Sequence, residues 1–264
     1  MSDDGEAEVL TDLAGGVLTV TINRPHRKNA LSPGVRTGLI AAIDRAEQDP
    51  DVRVLVLTGA GGDFCAGADM AGDSTGRHPL RRMQVANEIA LTLHHVSVPT
   101  IAKVQGVAIG AGCNLALGCD FVVAARSARF SEMFGARGLS IDFAGSWLLP
   151  KIVGLQRAKR LVMLGEIIGG EEAERLGLAT YVTDDDALDE TVARLTESLL
   201  KQAPVALAQS KALLHEGATR TLQEALESEA RAQTINFGGT DASAALDAFR
   251  EKRDAEFTGG WRVP

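Results

Sequence analysis

Cysteine is sparse in this sequence. The 264 residues hold three, Cys65, Cys113 and Cys119, an odd number without paired-ligand spacing. That excludes a disulfide framework or a cysteine zinc site, and it fits small buried hydrophobes in a reducing compartment. Positive charge is the minority sign: 27 Lys and Arg stand against 35 Asp and Glu, a net charge of −8. This argues against nucleic acid as a partner, so any phosphate would have to be held by local cations. No apolar run approaches the roughly 20 residues of a membrane span. The start, Met1-Ser-Asp-Asp-Gly-Glu6, is acidic; neither a secretory signal nor an Arg-rich transit peptide is expected, and the expected location is cytoplasmic. His26, His78 and His215 have no neighbour at metal-ligand spacing, so no metal is expected. His94 and His95 close a predicted helix, where the helix dipole favours a cation. Ser131 and Ser140 lack a Ser/His/Asp constellation.

What is present is an ordinary globular composition, 45% hydrophobic, in a length suited to one large domain or a core with a smaller appendage. Residues 1–10 are expected to fray. Residues 16–22 alternate β-branched side chains and read as a strand. Ser32 and Pro33 open a helix running to about residue 48, and 52–57 is a buried strand. Residues 71–77 read as a mobile segment and 79–95 as a helix. Strands at 100–104, 121–125 and 181–183 alternate with helices near 148–152, 156–164 and 171–176. Amphipathic helices then cover 187–202, 204–216, 222–232 and 241–253. This alternation with short turns predicts an α/β fold.

Two stretches carry the functional signal. In GVAIGAGCNLALG, residues 106–118, an apolar strand runs through a small-residue turn into a helix. The first backbone N–H groups of a helix have no internal partner, and the dipole adds about half a positive charge. Such a place can hold an anion or an oxygen that becomes one during a reaction. Close helix–strand packing is the other explanation of the glycines. A dinucleotide fingerprint would need a glycine where Leu115 stands, so it fails by one residue. The second stretch, FCAGADM at 64–70, also follows an apolar strand and is equally small.

Together with NRP at 23–25, NAL at 29–31, SVPTIAKVQG at 97–106, and Gly165, Ala173, Gly177 and Leu178, these motifs resemble the enoyl-CoA hydratase/isomerase (crotonase) family. The resemblance runs from about residue 17 to residue 257. It implies a crotonase-like spiral of ββα units, with residues 1–200 as the core bearing an acyl-CoA site. Residues 201–264 would be a C-terminal helical region for trimerisation and active-site cover. It also implies an acyl-CoA thioester as partner, no cofactor beyond the CoA of the substrate, and a homotrimer or dimer of trimers. Motif for motif, the backbone N–H groups of Ala68 and Ala111 would form an oxyanion hole. Arg27 or Lys28 would contact CoA phosphate. Ala30, Ala66, Asp69 and Met70 would flank the adenine and pantetheine path, although for Asp69 a turn or cap is the simpler role. Lys252 and Phe257 would approach CoA from the closing segment, a contact that could cross a subunit boundary.

The acid–base groups decide the reaction. The two glutamate positions of the family's hydratases are occupied here by Asn114 and Phe134. Asparagine can orient a water but exchanges no proton near neutral pH, and phenylalanine does neither. Glu132 lies two positions away, where its direction should differ, and is set aside. Phe134 should make the acyl pocket more apolar, suited to an aromatic, branched or long chain. Asp142, in GLSIDFAGSWLLP at 138–150, resembles the aspartate of family isomerases. Ile141, Phe143 and Trp147 should desolvate it and raise its pKa. Helix capping is the alternative role for that side chain. The expectation is an enoyl-CoA isomerase with Asp142 as acid/base. The alternatives are a 2-enoyl-CoA hydratase, an acyl-CoA binder without turnover, and an enzyme that uses Asp142 as a nucleophile.

Overall fold

A computed structural model describes residues 7–70, 76 and 78–261. The expectation of a mobile stretch at 71–77 falls, apart from Gly76, outside the described residues. Among the described residues nine strands form two sheets. The larger has the order β1 (Val9–Ala14), β2 (Val17–Ile22), β3 (Val54–Gly59), β4 (Thr100–Val104), β6 (Phe121–Ala125) and β9 (Tyr181–Thr183). Only its first pair is antiparallel; the others are parallel. The smaller sheet joins β5 (Val107–Ile109), β7 (Arg129–Ser131) and β8 (Ile167–Gly169). Successive strands thus step between the sheets before a helix follows, as in β4, β5 and α3 (Ala111–Leu117).

β3 is buried at every position, and β2 alternates buried and half-buried residues. The difference follows from place: a central parallel strand is covered on both faces, while a strand nearer the edge is not. The predicted fraying of residues 1–10 is corrected at Val9 and Leu10, while residues 1–6 lie outside the described residues. Val9 and Leu10 pair with Ile22 and Thr21, because the edge of β2 offers a ladder that only a chain segment from outside the core can complete. Polar residues such as Thr11 and Asp12 masked this strand in the sequence.

The helices α1 (Pro33–Gln48) and α2 (Pro79–His95) keep their expected bounds. Ser32 accepts a hydrogen bond from the Val35 N–H at 3.0 Å, so the helix starts where a hydroxyl and a proline together favour it. Val35, Leu39, Ala42, Ile43 and Ala46 form its buried stripe. Then come α4 (Gly145–Val153), α5 (Leu155–Leu164), α6 (Gly170–Leu176) and α7 (Leu188–Leu200). The closing helices are α8 (Pro204–Gly217), α9 (Leu222–Gly238) and α10 (Asp241–Glu251). They carry exposed Leu214, Leu222, Phe237 and Phe249. No helix among the described residues is long and apolar enough to cross a membrane.

Leu39 is fully buried between α1 and the large sheet. Leu39→Ala should cost about 2–5 kcal/mol, read as a lower urea midpoint at unchanged denaturant slope.

Candidate active site

The short sheet is extended by chain that is not formally strand. Phe64 and Cys65 donate from their backbones to Gln105 and Val107 at 2.8 and 2.9 Å, and Ile109 donates back to Cys65 at 3.0 Å. On the other side, Leu31 donates to Gly67 at 2.8 Å and Ala66 donates to Lys28 at 2.9 Å. Residues 64–69 are therefore stitched between residues 28–31 and 105–109. At Gly67 the ladder to residues 105–109 stops, while on the other side Asp69 still donates to Leu31 at 3.4 Å. The Gly67 φ of +88° suits glycine, and a Cβ there would lie 2.7 Å from the Ile109 oxygen and 3.5 Å from the Ala111 nitrogen. The turn before Ala68 thus abuts the first turn of α3. Neither the Ala68 nor the Ala111 N–H has a hydrogen-bond acceptor among the described residues. Two free donors beside a helix start can hold a developing oxyanion.

One turn into α3 lies Asn114, completely buried. Its Nδ2 donates to Glu132 Oε2 at 3.2 Å and to the Asp142 backbone oxygen at 3.0 Å. The loop that brings Asp142 here passes through Phe143 and Ala144 with φ of 51° and 62°. Two consecutive left-handed residues that are not glycine are strained, by about 1–3 kcal/mol each, and such strain concentrates at functional sites. Gly145 then lies against the Asn114 amide so closely that a Cβ would fall 2.3 Å from Nδ2. The Asp142 side chain does not cap α4, which excludes its alternative role. Its Oδ1, Glu132 Oε1 and Asn114 Oδ1 are all buried without a partner. Buried polar atoms without partners are costly, so three in one cluster mark a place built for another polar group.

Burial raises the Asp142 pKa, partly offset by the cation of Arg36. Glu132, 1% exposed, is pushed up to about 7 by burial. Hydrogen bonds from Cys113 and Asn114 lower it and the Asp142 charge raises it further. Glu132 is the residue that the sequence reading set aside. It stands just past the end of β7, where strand alternation no longer governs its direction, and it turns inward. A glutamate amid Phe130, Met133 and Phe134 was the available signal.

Beside Asn114 opens a chamber of about 420 Å³, lined by residues that include Leu91, Leu93, His94, Phe143, Trp147 and Leu148. Asp142 is set one residue behind this wall. Phe134 is not part of the wall; its ring covers Gly110 at the start of α3. The apolar lining expected of Phe134 comes instead from Phe143, Trp147 and the leucines. Asp69 is 8% exposed, and its carboxylate takes the Arg24 guanidinium at 2.8 Å. Arg24 donates as well to the Ala30 oxygen at 2.9 Å, which ties residues 28–31 down. Arg27 and Lys28 are exposed, with Lys28 3.5 Å from Asp63. Ala66 is half-buried and Met70 exposed near this edge. Lys252 caps the end of α10 and Phe257 follows it, and neither lines the chamber. All three cysteines are buried and unpaired, as expected; burial pushes the Cys65 thiol up to about 12.

A pair of free N–H donors beside buried carboxyl groups is an arrangement that can stabilise an enolate. The profile of the enoyl-CoA hydratase/isomerase family matches residues 12–260. The 1,2-epoxyphenylacetyl-CoA isomerase of Escherichia coli K12 is 37% identical over 95% of this chain and 98% of its own. The short-chain-enoyl-CoA hydratase of Clostridium acetobutylicum is 32% identical, covering 94% and 96%. A crystal structure of an enoyl-CoA hydratase from Bacillus anthracis superposes with a TM-score of 0.91 at 28% identity, covering 96% and 99%. The chain belongs to the enoyl-CoA hydratase/isomerase family and has the crotonase fold.

The raised pKa of Glu132 has a consequence for stability. Its folded value of about 7 lies above the ordinary 4.5, so the folded protein favours the protonated acid. The stability tied to that proton is complete below the ordinary value and is lost as pH rises through 7. Glu132→Gln cannot ionise. It should therefore gain on the wild type by roughly 3 kcal/mol between pH 4.5 and 7.5, measured by urea unfolding at each pH. Equal pH slopes for the two proteins would contradict this account of Glu132.

Proposed function

We propose that the enzyme is an enoyl-CoA isomerase in which Asp142 moves a proton between two carbons of the acyl chain. The observation that carries this reading is a carboxyl group with raised pKa and an unpartnered, buried Oδ1, held by its own backbone to Asn114. Asp142 takes the proton from the carbon between the thioester and the double bond of a 3-enoyl-CoA. The electron pair moves onto the carbonyl oxygen, where the Ala68 and Ala111 N–H groups stabilise it. Asp142 returns the proton to the far carbon of the original double bond, and a conjugated 2-enoyl-CoA results. One carboxyl group is sufficient, and the reaction as drawn needs no metal or redox cofactor. Arg27 and Lys28 take the CoA phosphates, and Ala30, Ala66 and Met70 lie along the nucleotide and pantetheine. Lys252 and Phe257 approach CoA in the assembled enzyme. Residues 1–200 form the core, and 201–264 form the assembly and cover region of a trimer or dimer of trimers. The exposed Leu222, Phe237 and Phe249 support that assignment, and we assign the enzyme to the cytoplasm.

A second reading, hydration of a 2-enoyl-CoA, draws support from Glu132. With Asn114 between Glu132 and Asp142, the cluster holds two carboxyl groups of raised pKa, enough to activate a water and to deliver a proton. Isomerisation is favoured because Asp142 alone accomplishes it and the strained residues Phe143 and Ala144 directly follow it in the loop.

The two readings separate when 3-enoyl-CoA and 2-enoyl-CoA are followed by conjugated absorbance with the wild type and with Asp142→Asn. The isomerase reading expects absorbance to rise from the 3-enoyl substrate and the variant to lose about 10²–10⁴-fold in kcat. Rapid loss of absorbance from the 2-enoyl substrate, sensitive to Glu132→Gln, establishes hydration instead. Binding without turnover of either ester indicates a binder, and a covalent acyl adduct on Asp142 indicates nucleophilic chemistry.

A further inference from the structure

The chamber beside Asn114 ends against a partition. On its far side lies a second cavity of about 590 Å³, reached by Asp120, Lys151, Lys211 and His215. His94, Gly118, Trp147 and Leu148 line both cavities, so these four residues form the wall between them. The axis of α3 gives the direction. Asn114 faces only the first cavity, Gly118 faces both, and Asp120 faces only the second. Asn114 and Gly118 are one turn apart, about 6 Å at the helical rise per residue.

His94 is the centre of this wall and is fixed from several sides. Its ring stacks on His215 at 4.1 Å with 11° between the planes, and meets Trp147 edge-on at 5.3 Å. His95 packs against it at 5.3 Å. Lys151 sits 3.3 Å above the Trp147 ring, holding that side of the wall in turn. His215 lies 3.9 Å from Asp120, whose Oδ2 accepts from Lys211 at 2.8 Å and from Thr100 N at 2.7 Å. The wall is thereby anchored to the beginning of β4. Burial, together with the charges of His215, His95 and Lys211, lowers the His94 pKa to about 4. The expectation of a cation favoured by the helix dipole fails here; a neutral ring is what stacking on a second imidazole requires.

We propose that His94 is a specificity-determining residue that ends the acyl site, so that the enzyme takes acyl-CoA thioesters with a compact acyl group, a short chain or a single ring, and rejects long chains. The proposal rests on the acyl-CoA reading and adds the substrate class to it. A long chain would have to break the stacked His94–His215 contact to reach the second cavity. The aromatic and branched groups expected from sequence fit the chamber, and the long ones do not.

The test uses saturated esters, which bind without reacting. Dissociation constants of butanoyl-, phenylacetyl- and dodecanoyl-CoA are measured by calorimetry on the full-length wild type, His94→Ala and His94→Gln, with melting temperatures as a control for folding. The wild type should bind the two compact esters at least tenfold more tightly than dodecanoyl-CoA. His94→Ala merges the cavities and should shift the ratio tenfold or more toward dodecanoyl-CoA, while His94→Gln keeps the wild-type order. Trp147→Ala opens the same wall from its other side and should shift the ratio likewise, which covers a His94→Ala protein that does not fold. A wild type that prefers dodecanoyl-CoA, or a ratio unmoved in both alanine variants, overturns the role of His94 alone. Failure of every ester to bind the wild type overturns the acyl-CoA reading as well.

Discussion

The site depends on one backbone arrangement, the stitching of residues 64–69 between residues 28–31 and 105–109. Main-chain hydrogen bonds hold both sides of this segment, and its ladder to residues 105–109 ends where Gly67 turns with φ of +88° against the Ile109 carbonyl, a close approach that a side chain would prevent. The interruption leaves N–H groups without acceptors close to the start of α3. A continued ladder would have consumed them, and a freer loop would not have held them in place. The Arg24 guanidinium braces the outer segment through the Asp69 carboxylate and the Ala30 carbonyl. The donors thus owe their position to hydrogen bonds in which they take no part.

Around that frame the protein tolerates several unfavourable features. Asn114, Glu132 and Asp142 each keep one oxygen buried and unpaired, and Phe143 and Ala144 adopt backbone angles that side chains disfavour. In a core built only for stability, each would be removed by an apolar replacement or a relaxed loop. Their concentration around Asn114, one helical turn into α3, is the physical reason for treating this cluster as chemical machinery. The Asn114 amide links the two acidic residues: it binds Glu132 through the side chain and Asp142 through the backbone.

Helix and strand positions were legible wherever local chemistry is sufficient. Ser32 and Pro33 define the start of α1, and the unbroken apolar run at residues 54–57 reads directly as a central strand. β1 was not legible, because an edge strand with Thr11 and Asp12 has no apolar pattern and exists only by virtue of the ladder it joins. The same limit applies to Glu132. A periodicity argument holds only while the strand continues, and β7 ends at Ser131. Phe134 and Asp69 were placed near the substrate by motif order, yet one packs on Gly110 and the other is committed to Arg24.

The sequence by itself determined the family, the α/β alternation, the two small-residue turns and the aspartate that follows them. Each is encoded by residues near one another in the chain, through steric and backbone preferences that act over a few positions. Only the tertiary structure decided that Glu132 joins Asn114 and Asp142, that Asp69 is an ion-pair partner, and that His94 meets His215 across more than 100 residues of chain. Burial, and the pKa shifts and packing contacts that depend on it, arise from what distant segments place around a side chain. No local pattern carries that information.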